Sequence, residues 1–380
     1  MHYISIRSVF SKRLARLSVA AIVIAGSVAA FAQSTPAKII ATDAAGQFPV
    51  AVGIDAKTHI AYVPNNSSAS VTVIKESNNS TSTVNDVPGA FANAVAVNPV
   101  TNKIYVANTQ AGNVLVIDGA TNHRTLITDP NALFPIAVAV DSSLNKIYVA
   151  NEVSNNVTVI DGKTNAVSTV ADPAAQSPIS IAVNSVTHKV YVANDASNNI
   201  TVIDGTTNSV ASVTDPNGAC PFSVALNQIT NKVYFSNFCS SNVTVLDGTD
   251  NSITTVTDPN SFNPVAAVVN PNTNKIYVID QFPANVTVID GATNATKTIT
   301  NSKANQGQAI AIDLGSNTVY AANFLSNNVS VIDGATDQLT TTLADPKAVS
   351  PFAVGADPVT HRVYVANANS ANVTVIAGAH

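Results

Sequence analysis

Glutamate occurs only twice in this chain of 380 residues, at Glu76 and Glu152, cysteine occurs twice, and charged side chains make up 11% of the whole. With 46% hydrophobic residues such a chain has apolar material for a large core, which excludes disorder. Two cysteines with no histidine nearby make a poor metal site. Beyond residue 32 arginine occurs only at Arg124 and Arg362. The His, Glu and Arg cluster that a lactonase, lyase or hydrolase would aim at one point is missing, as are a Ser/His/Asp order and a Gly-rich phosphate loop. No window past residue 32 has a helical period, and no segment there is apolar for long enough to span a bilayer.

What is present begins with a leader. Arg7, Lys12, Arg13 and Arg16 precede an apolar stretch over residues 17–28, and Ala30-Phe31-Ala32 ahead of Gln33 has the small-x-small pattern of a signal-peptidase site. This predicts a secretory signal over residues 1–32 and a secreted, periplasmic or cell-surface location, with no membrane span after cleavage. The alternative is an uncleaved anchor, although the apolar run is shorter than the ~20 residues that span a bilayer comfortably. Without the four leader cations, 14 basic residues stand against 23 acidic ones and the formal charge moves from −5 to −9. The net basic field of a general nucleic-acid binder is absent, so nucleic acid is not an expected partner.

Eight tyrosines then mark a rhythm: Tyr62, Tyr105, Tyr148, Tyr191, Tyr234, Tyr277, Tyr320 and Tyr364 lie 43 residues apart, with one step of 44. A fixed period of that size signals an array of small sheets. In the unit over residues 135–172, four short strands are expected at residues 136–140, 146–150, 157–160 and 166–170. Asp161-Gly162 is expected to supply the positive φ angles of a tight hairpin. Such a four-stranded meander cannot bury both of its faces alone, and radial packing against copies of itself gives a β-propeller. With the strands named A to D outward, Ala137, Ala139, Ala182, Ala225 and Ala266 supply small side chains near the axis. Strands A, B and C occur eight times; the eighth strand D is found at residues 38–42, because Asp43 precedes Tyr62 by the same 19 residues that separate Asp86 from Tyr105. The expected fold is all-β, one eight-bladed β-propeller over residues 33–380, closed by that N-terminal strand pairing with residues 373–376.

The tyrosine phrase reads YVAN at Tyr105, Tyr148, Tyr191 and Tyr364 and YVPN at Tyr62, with VTVIDG or a variant about ten residues on. In these features the chain resembles the YVTN repeat family of β-propellers over about all of residues 37–380. The resemblance implies a secreted, periplasmic or surface-layer protein and assigns no activity. Familiar members often have seven blades, so the eight counted here depart from that pattern.

Strand direction sorts the connections onto two faces. D-to-A and B-to-C connections share the top, where propeller sites usually gather, and A-to-B and C-to-D turns share the bottom. His59, His188 and His361 fall in A-to-B turns and His123 in a C-to-D turn, all on the bottom and all read as turn residues. Lys103, Lys146, Lys189, Lys232, Lys275 and Arg362 form a bottom ring expected to be solvated beside turn aspartates such as Asp118, Asp161 and Asp204. The top is expected to be negative, through Asp43, Asp86, Asp129, Asp172, Asp215, Asp258 and Asp345 at the ends of D strands and Glu152, Asp195 and Asp280 in B-to-C loops. Turn capping is the plainer role for the first set, and weak calcium binding the sharper one. Two top positions vary while their surroundings repeat: Phe48, Phe91, Phe134, Ser177, Cys220, Asn263, Gln306 and Ser350 before strand A, and Asn66, Thr109, Glu152, Asp195, Phe238, Gln281, Phe324 and Ala368 after strand B. Candidate contacts for a ligand or partner are Phe48, Phe91, Phe134, Glu152, Asp195, Phe238, Asp280 and Phe324. The plainer reading packs each phenylalanine between blades.

Cys220 and Cys239 flank the A-to-B hairpin of blade five symmetrically, so they are expected to pair as a disulfide. The function expected is a non-enzymatic binding scaffold for a protein or glycan, monomeric, with no catalytic residue, metal or cofactor. The alternatives are a lactonase- or lyase-like propeller enzyme and a structural surface-layer component.

Overall fold

A computed structural model of the chain describes residues 38–41, 43 and 45–377; the expected signal over residues 1–32 lies outside the described residues. Among the described residues there are thirty-two strands, β1 to β32 in chain order, in eight antiparallel sheets of four. Blade 3 shows the unit: β10 (Pro135–Asp141), β11 (Lys146–Asn151), β12 (Asn156–Asp161) and β13 (Val167–Ala171), each bonded to the next. The A strands of neighbouring blades pack against one another around the axis, and Ala137 and Ala139 sit half-buried there. The ring closes as the sequence phase requires. β1 (Lys38–Ala41) pairs antiparallel with β32 (Asn372–Ala377), next to β31 (Arg362–Asn367) and β30 (Pro351–Ala356), so blade 8 is completed by the chain's first strand.

No blade has a core of its own. The buried apolar side chains fall into eight clusters, and each takes one face from each of two adjacent blades, as Tyr148, Val157 and Val159 of blade 3 meet Val190, Val192 and Ile203 of blade 4. The repeating tyrosine sits at the contact between one blade and the next. Its ring is buried and its hydroxyl reaches the C-to-D turn of the next blade, where Tyr148 Oη donates to the Gly205 carbonyl at 3.4 Å. Burial pushes the Tyr62 and Tyr105 hydroxyls up to about 12.

That same turn corrects the reading of Asp-Gly. The positive φ is carried three residues after the glycine, by Asn122 (59°), Asn165 (62°) and Asn208 (62°), and the glycine answers a steric demand. A Cβ on Gly119 would lie 2.1 Å from Asn102 Oδ1, and one on Gly205 would lie 2.5 Å from Tyr148 Oη. The bottom lysines differ from expectation too. Lys146 Nζ donates to the Gly205 carbonyl and Lys189 Nζ to the Gly248 carbonyl, both at 2.6 Å, so the ammonium groups tie each blade to the next. The turn aspartates instead accept from their own turns, and the Thr206 hydroxyl and nearby amides hold the Asp204 carboxyl down to about 2.

The histidines are more than turn residues. At the bottom end of strand A each blade presents Asn or Asp to the A-to-B turn of the next blade. Asn meets Asn, as in Asn98 to Asn145 (2.9 Å), Asn184 to Asn231 (2.8 Å) and Asn227 to Asn274 (2.9 Å). Asp meets His, with the Nδ1 atoms of His188, His361 and His59 each 2.8 Å from Asp141, Asp313 and Asp357, whose carboxylates are fully buried. At the seam from blade 8 to blade 1 three substitutions act together. Glu76 replaces the turn glycine, Arg362 replaces the lysine and His59 replaces the asparagine; Arg362 Nε lies 3.2 Å from Glu76 Oε1, and Thr360 donates to Glu76 Oε2 at 2.8 Å.

Two outcomes follow from closure. Deleting residues 38–41 leaves β32 unpaired along one edge, and a sharply lower melting temperature is expected in calorimetry; an unchanged melt contradicts the closure. The hydrogen bond to Asp357, aided by its charge, raises the His59 pKa above 6.5. The stability this link adds is therefore complete below 6.5 and is lost as pH rises through the raised value. Melting curves recorded on both sides of that range should show the loss in the native protein and a flatter profile in His59→Asn.

Candidate functional site on the top rim

The two variable top positions are bonded to each other in every blade. The residue before strand A offers its carbonyl to the amide of the residue after strand B: Asn66 to Phe48 (2.9 Å), Thr109 to Phe91 (3.1 Å), Glu152 to Phe134 (2.9 Å), Asp195 to Ser177 (3.0 Å), and likewise Phe238 to Cys220, Gln281 to Asn263, Phe324 to Gln306 and Ala368 to Ser350. All eight residues before strand A are left-handed, from 52° at Asn263 to 64° at Phe134, and none is glycine. A bulky side chain in that region carries strain of order 1–2 kcal/mol that glycine would avoid. Strand A then bulges within two residues, as between Pro135 and Ala137. The rim is thus a circle of fixed backbone geometry carrying eight different side-chain pairs.

Its aromatic residues form two groups. Phe352 of strand A in blade 8 lies 6.1 Å from Phe48 of blade 1 and 6.2 Å, edge-on, from Phe324 of blade 7, which makes a row over three blades. Phe238 lies 5.7 Å from Phe222 with the two rings tilted by 37° and packs against the apolar cluster between blades 6 and 7, so for Phe238 the packing role is real. Phe91 is 37% exposed and Phe134 is half-buried. One step outward the same loops expose more apolar groups: Leu133 and Val153 in blade 3, Phe262 (57%) and Phe282 (38%) in blade 6, Leu325 in blade 7 and Val349 in blade 8. Sequence variability at the inner positions did not reveal this outer row; the large apolar residues flanking those positions were its signal.

The carboxylates do not stand on this surface as a negative rim. Asp129 is 4% exposed; its Oδ2 accepts from Thr158 at 2.7 Å and Thr169 at 2.9 Å, and its Oδ1 accepts the Asn131 amide. The same relay recurs at Asp43, Asp172, Asp215 and Asp345, so turn capping holds and each carboxylate also clamps the next blade. Asp86 faces leucines instead of threonines, and burial raises its pKa. Glu152 is buried and accepts from Ser177 Oγ at 3.3 Å, while Asp195 is half-buried. Asp280 is not in a loop. It ends β23 (Lys275–Asp280), fully buried, where other blades have asparagine, and accepts from Ser261 Oγ at 2.6 Å. Burial pushes its carboxyl up to about 7 against that hydrogen bond, and the charge of Asp258 adds to the rise.

Cys220 and Cys239 form the expected disulfide, with Cα atoms 5.3 Å apart. The bridge joins the inner position of blade 5 to the outer one and encloses a hairpin of sequence separation 19. The loop-entropy model puts its contribution at about 3 kcal/mol. Reduction with alkylation, or the paired Cys220→Ser and Cys239→Ser variant, should lower the stability read from denaturant melts by about that amount, and native protein should show no reactive thiol.

The described histidines and arginines all lie away from this rim, in bottom turns or at the bottom ends of strands. Among the described residues no helix is long and apolar enough to cross a membrane. No family model matches the chain, and no curated protein matches it. Solved structures do. The chain is similar to Kuenenia stuttgartiensis hydrazine synthase, with a TM-score of 0.62 at 17% identity over 92% of this chain and 99% of that one. A streptogramin B lyase gives 0.63 at 10% identity over 89% and 96%, and the virginiamycin B lyase of Staphylococcus aureus gives 0.61 at 13% identity over 76% and 95%. At these identities the likeness is one of architecture, and the chain is a β-propeller of eight four-stranded blades.

Proposed function

We propose that the chain is a secreted, non-enzymatic propeller of the YVTN type whose top face docks a protein partner. The observation that carries this reading is that the exposed aromatic side chains among the described residues, Phe91, Phe222, Phe262 and Phe282, lie on the top face together with exposed Leu133, Val153, Leu325 and Val349, whereas the bottom turns expose only the aliphatic Val100, Val186, Ile229 and Val359. Clustered exposed apolar groups mark interaction surfaces, and aromatic side chains anchor them. The carboxylates of that face are largely drawn inward, which keeps its desolvation inexpensive. The disulfide suits an oxidising compartment.

A lyase is the second reading, favoured by two similar structures, a streptogramin B lyase and a virginiamycin B lyase. Against it, the described histidines and arginines that would supply acid, base and anion contacts belong to the bottom side.

The test is capture of partners from extracellular and envelope fractions by the chain and by Phe262→Ala/Phe282→Ala. Capture of a partner is expected to weaken roughly tenfold in that variant. Its melting temperature should hold, since both rings are exposed. Val186→Ser/Ile229→Ser, on the bottom, should leave capture intact; loss there instead overturns the top-face reading, and turnover of a streptogramin B by the native chain overturns the non-enzymatic one.

A further inference from the structure

The top face of this acidic chain shows its free charge in one place, and that charge is positive. In the top connections the carboxylates are buried or half-buried, and the exposed charged side chains among the described residues are Lys303 and Lys347. Both hold the same position of the repeat, two residues after the one that ends strand D, in the loops entering blades 7 and 8. The other six connections place Ala45, Pro88, Asn131, Ala174, Asn217 and Asn260 there, all neutral. The loop of Lys303 also begins at Asn301, where the other seven begin with aspartate, so it has lost its own negative charge.

Hydrogen bonds join the two lysine loops into one surface. Asn328 Nδ2 donates to the Lys303 carbonyl at 2.8 Å and the Leu325 amide to the Asn305 carbonyl at 3.2 Å, which ties the B-to-C loop of blade 7 to the loop of Lys303. That same B-to-C loop reaches the second lysine loop, where Asn327 Oδ1 accepts the Ser350 amide at 2.8 Å, next to Val349. Leu325 and Val349, both exposed, therefore share a patch with the two lysines, and the row of Phe324, Phe352 and Phe48 begins on the same loops. The lysine backbones are held, since the Lys347 carbonyl likewise accepts from Asn372 Nδ2 at 3.0 Å. Their ammonium groups have no hydrogen bond or ion pair among the described residues, in contrast to Lys146 and Lys189 below, which bind glycine carbonyls. The formal charge beyond residue 32 is −9, but fields are screened over about 8 Å at physiological ionic strength. A group seated on this patch meets the two ammonium groups before it meets the carboxylates of the bottom turns.

We propose that this patch over blades 7, 8 and 1 takes an acidic segment of a partner protein, with carboxylates on Lys303 and Lys347 and apolar side chains on Leu325, Val349 and the phenylalanine row. The inference rests on the top-face docking reading and adds the chemistry of the partner. In such a contact the apolar groups supply most of the affinity, and the lysines set the choice of partner and the salt dependence.

The experiment titrates the full chain against a labelled random copolymer of glutamate and tyrosine, read by fluorescence anisotropy, with polyglutamate, a lysine and tyrosine copolymer, a polyuronate and phosphatidylglycerol vesicles as comparators. The glutamate and tyrosine copolymer is expected to bind most tightly, and to weaken roughly tenfold in Lys303→Glu/Lys347→Glu or at about 0.5 M salt. Lys57→Glu/Lys75→Glu makes the same change of net charge on the bottom face and should leave binding intact, as should Lys303→Arg/Lys347→Arg on the top. All four lysines are exposed, so melting temperatures should hold. No binding of the copolymer at about 1 mM overturns the proposal. So does an equal loss in the bottom variant, which would make net charge the cause, or tighter binding of the polyuronate or of the vesicles, which would assign the patch to a glycan or a membrane surface. Capture from envelope fractions that falls in Phe262→Ala/Phe282→Ala yet holds in Lys303→Glu/Lys347→Glu overturns the acidic segment while the top-face reading stands.

Discussion

A four-stranded sheet with two apolar faces has no inside, and everything in this molecule depends on the neighbour that supplies one. Each of the eight apolar clusters belongs to a seam. The spacing of repeats is therefore a statement about contacts between blades more than about any blade by itself. One residue inserted in a strand would turn its apolar set to the wrong seam. The chain tolerates its single 44-residue step between Tyr320 and Tyr364 by taking up the extra residue in β29 (Gln338–Ala344), the outer strand of blade 7, where Thr340 falls between Leu339, paired with Ile332, and Thr341, paired with Val331.

The polar links obey the same geometry. Tyrosine hydroxyl, lysine ammonium and strand-end asparagine all converge on the next blade's turn glycine or its neighbours, which is why the Asp-Gly phrase keeps its glycine without using left-handed backbone. Where one member changes, its partner a blade away changes with it. Asp pairs with His and Asn with Asn at a spacing of 47 or 48 residues, and Glu76 goes with Arg362 across the seam from blade 8 to blade 1. One seam escapes the rule: Asp55 faces the position of Asn102, and Asp55 Oδ2 has no partner.

Much of the fold was legible because periodicity and turn chemistry recur eight times, which averages away local ambiguity. The strands, their order, the closing strand and the disulfide could all be placed from phase alone. The interblade chemistry was not legible, because its signal is a correlation between residues one period plus four apart, and each histidine or lysine taken singly looks like a surface turn residue. Asp280 illustrates the limit most clearly. Counting it with Glu152 misassigned it by one residue, which in a strand is the difference between loop and core. The candidate site was half legible: variability located the inner rim, whereas the outer row and the inward turn of the carboxylates depend on side-chain directions that spacing does not encode.

The pairing of β1 with β32 imposes an order in time. Blades 1 to 7 are local meanders that can zip as soon as their own residues emerge, each templated by the sheet before it. Among the described strands β1 is made before all the others and its partner β32 after them, so while those between are made it is an unpaired edge, and blade 1 keeps one open face. A nascent chain of this design is a sticky arc until its final strand arrives, and any factor that shields the first strand of the arc would control when the circle is drawn.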